Sequence, residues 1–139
     1  MNPTDPRRAV IHRASGSPQR SAALGPYVIE SLIDPGEQLT ATAYKVRIEP
    51  NRRTNVSYHK LAEELYFVLS GRGTALLDGK PYAIQAGDLL RLPPGTTHGF
   101  ITGDEPLEML DIHTPGCRPD HDVYFVGEVP DGFTVPGSE

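Results

Sequence analysis

Apolar residues in this chain never run far before a glycine or a proline interrupts them, and that punctuation excludes most helical folds. Fourteen glycines and fourteen prolines are spread over 139 residues. From residue 27 onward the apolar runs cover 27–33, 40–48, 74–77, 82–84, 89–92, 98–102 and 107–114. Between them lie turn signals such as Asp34-Pro35-Gly36, Pro50-Asn51, Asp78-Gly79 and Pro93-Pro94-Gly95. Runs of this length at this spacing read as strands of an all-β sandwich or barrel, and no segment carries a long helical period. Residues 1–25, rich in Arg, Pro, Ser and Gly, read as a flexible N-terminal arm that orders against a partner subunit. A barrel is expected over 26–116 and a C-terminal tail over 117–139, in which 123–129 is a candidate for one more strand, added to a neighbouring subunit.

Strand alternation assigns side chains to faces. If Glu64 points inward, so do Tyr66 and Val68, while Leu65, Phe67 and Leu69 point outward. Both sets are apolar, which predicts a strand covered on both sides, by the barrel interior and by a second subunit; a homodimer is expected. His98 shares a face with Phe100 and Thr102, and Leu107, Met109, Asp111 and His113 share another. Asp111 and His113 therefore lie either both in the pocket or both at the rim. Lys45 and Arg47 alternate with Tyr44, Val46 and Ile48, and inward they would suit an anionic substrate.

Charge and cysteine content remove several function classes. The net charge is −5, with 13 basic residues scattered against 18 acidic ones, so no nucleic-acid footprint is expected. One cysteine, Cys117, allows no intrachain disulfide and no cysteine-rich zinc site. No apolar run reaches the length of a membrane span or a signal-peptide core, so no membrane partner and a cytoplasmic location are expected. Cys117 reads as an inert turn thiol and Asp120-His121-Asp122 as polar loop residues facing water.

Two motifs carry the chemistry. His59 is followed after four residues by Glu64, and Glu64 after six by Gly71. Downstream, Gly87, Pro93, Gly95 and His98 stand in the order Gly, five residues, Pro-x-Gly, two residues, His. At these residues the chain resembles the cupin superfamily, over about residues 40–115. The resemblance implies an antiparallel double-stranded β-helix, a jelly-roll barrel. It also implies a metal site from His59, Glu64 and His98 for one divalent transition ion such as Fe, Mn, Ni, Zn or Cu. Three positions depart from the family pattern: Ser57 stands where the first histidine is usual, Asn51 at the opening glycine, and Thr102 at the closing asparagine. Asn tolerates positive φ, so Asn51 is a mild change. Ser57 removes one usual ligand, and it is a vacancy, a hydroxyl behind the ligands, or the mark of a site without metal.

Two imidazoles and a carboxylate leave positions open on a first-row ion for water or substrate. Tyr66, two residues beyond Glu64, is either an acid/base catalyst or a packed aromatic, and His113 is the second acid/base candidate if it faces inward. The leading expectation is a metal-dependent small-molecule enzyme, a dioxygenase or an isomerase, lyase or cyclase. The alternative is a non-catalytic cupin that binds a small ligand.

Overall fold

The computed structural model describes residues 4–14 and 20–134 and contains no α-helix among them. Residues 1–3 and 15–19 of the expected arm, and 135–139 of the expected tail, lie outside the described residues. The described strands are β1 (Ser21–Leu24), β2 (Tyr27–Ile33), β3 (Thr42–Ile48), β4 (Val56–Tyr58), β5 (Glu63–Ser70), β6 (Arg72–Leu77), β7 (Lys80–Gln85), β8 (Leu89–Leu92), β9 (His98–Thr102), β10 (Leu107–Thr114) and β11 (Tyr124–Val126). One sheet has the order β1-β2-β3-β10-β5-β8 and the other β11-β4-β9-β6-β7. Every pairing is antiparallel. Two antiparallel sheets facing one another, with sequence-distant strands adjacent, form the expected jelly-roll barrel.

Three strands differ from the expected pattern for local reasons. β1 falls inside the expected arm: Gly25, at φ 58, reverses the chain so that Leu24 pairs with Tyr27. The end of that segment is therefore part of the barrel sheet, and Arg13 and Arg20 tie its approach to Glu37 and Asp34. β7 begins at Lys80, ahead of the apolar run at 82–84, and takes in Pro81 because it lies at the edge of its sheet, where a missing N–H is tolerated. The Asp78-Gly79 pair makes the two-residue hairpin before it, with φ 50 and 80. β11, within 123–129, pairs with β4 of the same chain.

Gly71 and Asn51 show why the turns take the residues they do. Gly71 has φ 83, and a Cβ there would lie 1.9 Å from the carbonyl oxygen of Pro106, so no other residue fits. Asn51 sits at φ 57, the conformation its replacement of glycine requires.

Alternation sorts the interior into two ends. On β5, Glu64, Tyr66 and Val68 are buried; on β10, Leu107, Met109, Asp111 and His113 are buried. The register places His113 opposite Glu64, Asp111 opposite Tyr66 and Met109 opposite Val68. Polar side chains thus gather at one end of the barrel and apolar ones at the other, where Ile48, Val68, Leu107 and Phe100 make the core. At about 25 cal/mol per Å² of apolar area removed from water, this apolar end supplies the fold's main stabilisation. Tyr44 and Val46 line the pocket, so Lys45 and Arg47 point out of it, where Lys45 meets Glu30 and Arg47 meets Glu49 and Glu108. An anion-binding role for that pair inside the pocket is therefore excluded.

Candidate metal centre and pocket

Glu64, the second residue of β5, is 1% exposed, a position that no carboxylate holds without partners. Three imidazoles surround it. Nε2 of His59 and Nε2 of His98 each lie 3.1 Å from its Oε1, and Nε2 of His113 lies 2.8 Å from its Oε2. His98 opens β9 immediately after the Pro93–Gly95 turn, and its Nδ1 faces the carbonyl of Thr96 at 3.1 Å. His59 follows β4, and its Nδ1 meets the carbonyl of Asp122 at 2.6 Å. With Nδ1–H donated to a backbone carbonyl, each ring turns its Nε2 toward Glu64, the orientation that metal-ligating histidines adopt.

The residues fit a divalent ion. Oε1 of Glu64 receives no hydrogen bond from the described residues, although two ring nitrogens lie 3.1 Å away. Donors that crowd together without bonding to one another are arranged about a common point. Bonds of about 2.1 Å at right or tetrahedral angles separate neighbouring ligands by roughly 3.0–3.4 Å, which matches these contacts. His59, Glu64 and His98 are mutually close enough to hold one ion. Ser57, opposite His98 in the β4–β9 pairing, sets its Oγ 3.5 Å from His98 Nε2, at the limit of hydrogen bonding.

Both acid/base candidates line the same pocket. Tyr66 is 5% exposed, with its ring edge-on to His98 and Phe100. Burial, then the nearby Asp111 and Glu64 carboxylates, hold its phenol well above the usual range. His113 is buried with Asp111, so the two lie in the pocket rather than at its rim. Burial and the adjacent Glu64 hold the Asp111 carboxyl well above its ordinary value. Burial also works to raise Glu64, but the His113 and His98 rings outweigh it, and Glu64 is held well below the carboxylate range. For His59, burial pulls the pKa down, and contacts with Cys117 and Glu64 more than reverse it, to about 11.

Two residues set aside in the sequence belong to this site. Cys117 is 3% exposed and lines the pocket, with Sγ 3.4 Å from His59 Nδ1. Burial pushes its thiol up, against the opposing pull of His59, so it stays a thiol. Asp122 does not face water: it is 4% exposed, and its carboxylate accepts from the backbone N–H groups of Lys60, Leu61 and Ala62. Asp120 matches the surface reading, paired with Arg118. Tyr27, Tyr44, Phe125 and Phe133 add an aromatic wall to the same pocket.

The sequence profile of the cupin domain matches residues 44–113. An uncharacterized protein of Methanocaldococcus jannaschii, MJ1618, is 36% identical over 64 residues, 45% of this chain. That match spans about half the length, 51%, of the curated relative. Among solved structures, the chain is similar to Pac13, described as a unique nucleoside dehydratase and known from Streptomyces, with TM-score 0.68 and 19% identity. That superposition covers 86% of this chain and 94% of Pac13. A putative sugar phosphate isomerase from Acidithiobacillus ferrooxidans gives TM-score 0.62 and 28% identity, over 72% of this chain and 69% of that one. The motif spacing, the barrel and the profile match over half of the sequence agree: the chain belongs to the cupin domain family.

Proposed function

We propose that this protein is a metal-dependent enzyme that rearranges or cleaves a small organic molecule in the barrel pocket. His59, Glu64 and His98 hold one divalent transition ion, with Fe, Mn, Ni, Zn and Cu as candidates, and Tyr66 and His113 handle protons. The observation that carries this reading is the pair of imidazole Nε2 atoms, each 3.1 Å from a buried carboxylate oxygen that receives no hydrogen bond from the described residues. When bound, the ion supplies Lewis-acid polarisation of a substrate oxygen. Tyr66, kept as a neutral phenol, donates a proton to substrate; His113 Nε2, on the Oε2 side of Glu64, takes or returns one. The aromatic wall limits water at the floor.

Proton transfer is favoured over dioxygenation because the groups around the floor are proton carriers, and the dehydratase and isomerase named above accord with isomerase, lyase or cyclase chemistry. The test is turnover of hydroxy-carbonyl and sugar-like compounds in deuterated water, followed by NMR. Solvent deuterium in the product supports the reading; oxygen consumption coupled to turnover supports a dioxygenase instead. One observation favours the second reading, a ligand-binding cupin without turnover: position 57 offers a hydroxyl where the family has an imidazole. Metal-loaded protein that binds such compounds and converts none of them would establish that alternative. A homodimer and a cytoplasmic location complete the proposal, the first because Phe67, Leu69 and Leu89 lie exposed on neighbouring strands.

A further inference from the structure

We propose that the pocket floor has a second divalent-cation position, built by Glu64 Oε2, Asp111 and His113, with Glu64 bridging it to the first. The inference rests on the metal reading above and revises one part of it: with the second ion bound, His113 Nε2 is a ligand, and proton transfer falls to Tyr66 alone. The two motifs do not define this position: Asp111 and His113 come from β10, outside both.

The geometry of the second set repeats that of the first. Nε2 of His113 lies 2.8 Å from Glu64 Oε2 and 3.7 Å from Asp111 Oδ2, and the three residues are mutually close enough to hold an ion. Roughly 3.0–3.4 Å is the ligand separation expected around one ion, and the two distances bracket it. Glu64 turns Oε1 toward His59 and His98 and Oε2 toward His113, so its two oxygens serve the two donor sets separately. A carboxylate shared in this way is how two-metal sites hold their ions as a pair.

Two further observations point to a ligand. Asp111 is 5% exposed, and its Oδ1 has no hydrogen-bond partner among the described residues. Two buried carboxyl groups converge on one imidazole nitrogen, an arrangement that a cation shared among the three satisfies. The sequence change runs the same way. A donor is missing from β4 at Ser57, and two are present on β10, on the other side of Glu64. One nitrogen and two carboxylates form a set suited to Mn²⁺, Fe²⁺ or Zn²⁺ rather than to a thiolate-seeking ion.

The test is metal stoichiometry. Chelator-stripped protein is reloaded with Zn²⁺, freed of excess by gel filtration and analysed for zinc per chain by mass spectrometry. Two ions per chain are expected for the wild type, and one for Asp111→Asn and for His98→Ala, each checked for a native-like melting transition. One ion in the wild type overturns the second position and leaves the first standing; none overturns both. Two ions retained in Asp111→Asn also overturn it, and the wild-type count decides the matter even if a variant fails to fold.

Discussion

Asp122 holds His59 from both ends: its carbonyl takes the ring Nδ1 at 2.6 Å, while its carboxylate accepts the N–H groups of Lys60, Leu61 and Ala62, the residues that follow that histidine. One residue, 63 positions downstream, thus orients the ring and shapes the loop that carries it.

Replacing Asp122 by Ala leaves three backbone donors without that acceptor and is expected to destabilise the fold by about 3 kcal/mol, measured by urea denaturation. Asn keeps one acceptor oxygen and tolerates the φ of 60 found here, so Asp122→Asn is expected to cost less. A loss under about 0.5 kcal/mol in the Ala variant would mean that the loop holds its shape by other means.

Tyr66→Phe preserves the packing against His98 and Phe100 and deletes the phenolic proton. Once a substrate is in hand, kcat is expected to drop roughly 10²- to 10⁴-fold with metal content unchanged. Unchanged turnover would transfer the role to His113, which His113→Ala then tests.

For the metal-free protein, the raised pKa of His59 fixes the direction of one pH effect. The imidazolium at His59 contributes stability that is fully present below its unfolded pKa of about 6.5, and that stability is lost as pH rises toward about 11. Glu64 acts at the other end: its depressed pKa contributes stability above about 4.5, lost on further acidification. A bound ion must displace the His59 proton, so metal affinity is expected to keep rising with pH above 6.5. Competition with a chelator from pH 6 to 9 measures this, and a flat profile contradicts it.

Phe67, Leu69 and Leu89 are 42%, 44% and 62% exposed, and the register sets Phe67 beside Leu89. An apolar group of this kind on one sheet face predicts association through it. Light scattering at micromolar concentration is expected to give twice the chain mass for the wild type and a single chain mass for a Phe67→Asp, Leu89→Asp variant. A monomeric wild type rejects the dimer.

What the sequence disclosed follows from what is local in it. Strands such as β2, β8, β9 and β10 were legible because alternation and flanking turns are properties of short windows. β1 and β4 are four and three residues long, too short for alternation to speak, although the Gly25-Pro26 pair before β2 was a turn signal for the first. His59, Glu64 and His98 were singled out by the resemblance of their motifs to the cupin pattern, and the fold sets them close together. The inward orientation of Asp111 and His113 needed the β5–β10 register, and the orientation of Lys45 and Arg47 needed the knowledge that Tyr44 and Val46 face the pocket. Cys117 and Asp122 carried no signal, since a loop brings them to His59 from 58 and 63 residues away.

Anomalous X-ray diffraction from crystals of protein purified without a chelating tag, collected on both sides of the metal edge, tests the metal centre most directly. The account predicts an anomalous peak at coordination distance, about 2.0–2.2 Å, from Nε2 of His59, Nε2 of His98 and a carboxylate oxygen of Glu64. A pocket floor with no anomalous density after soaking in Zn²⁺ or Mn²⁺, the three side chains still facing one another, would contradict it.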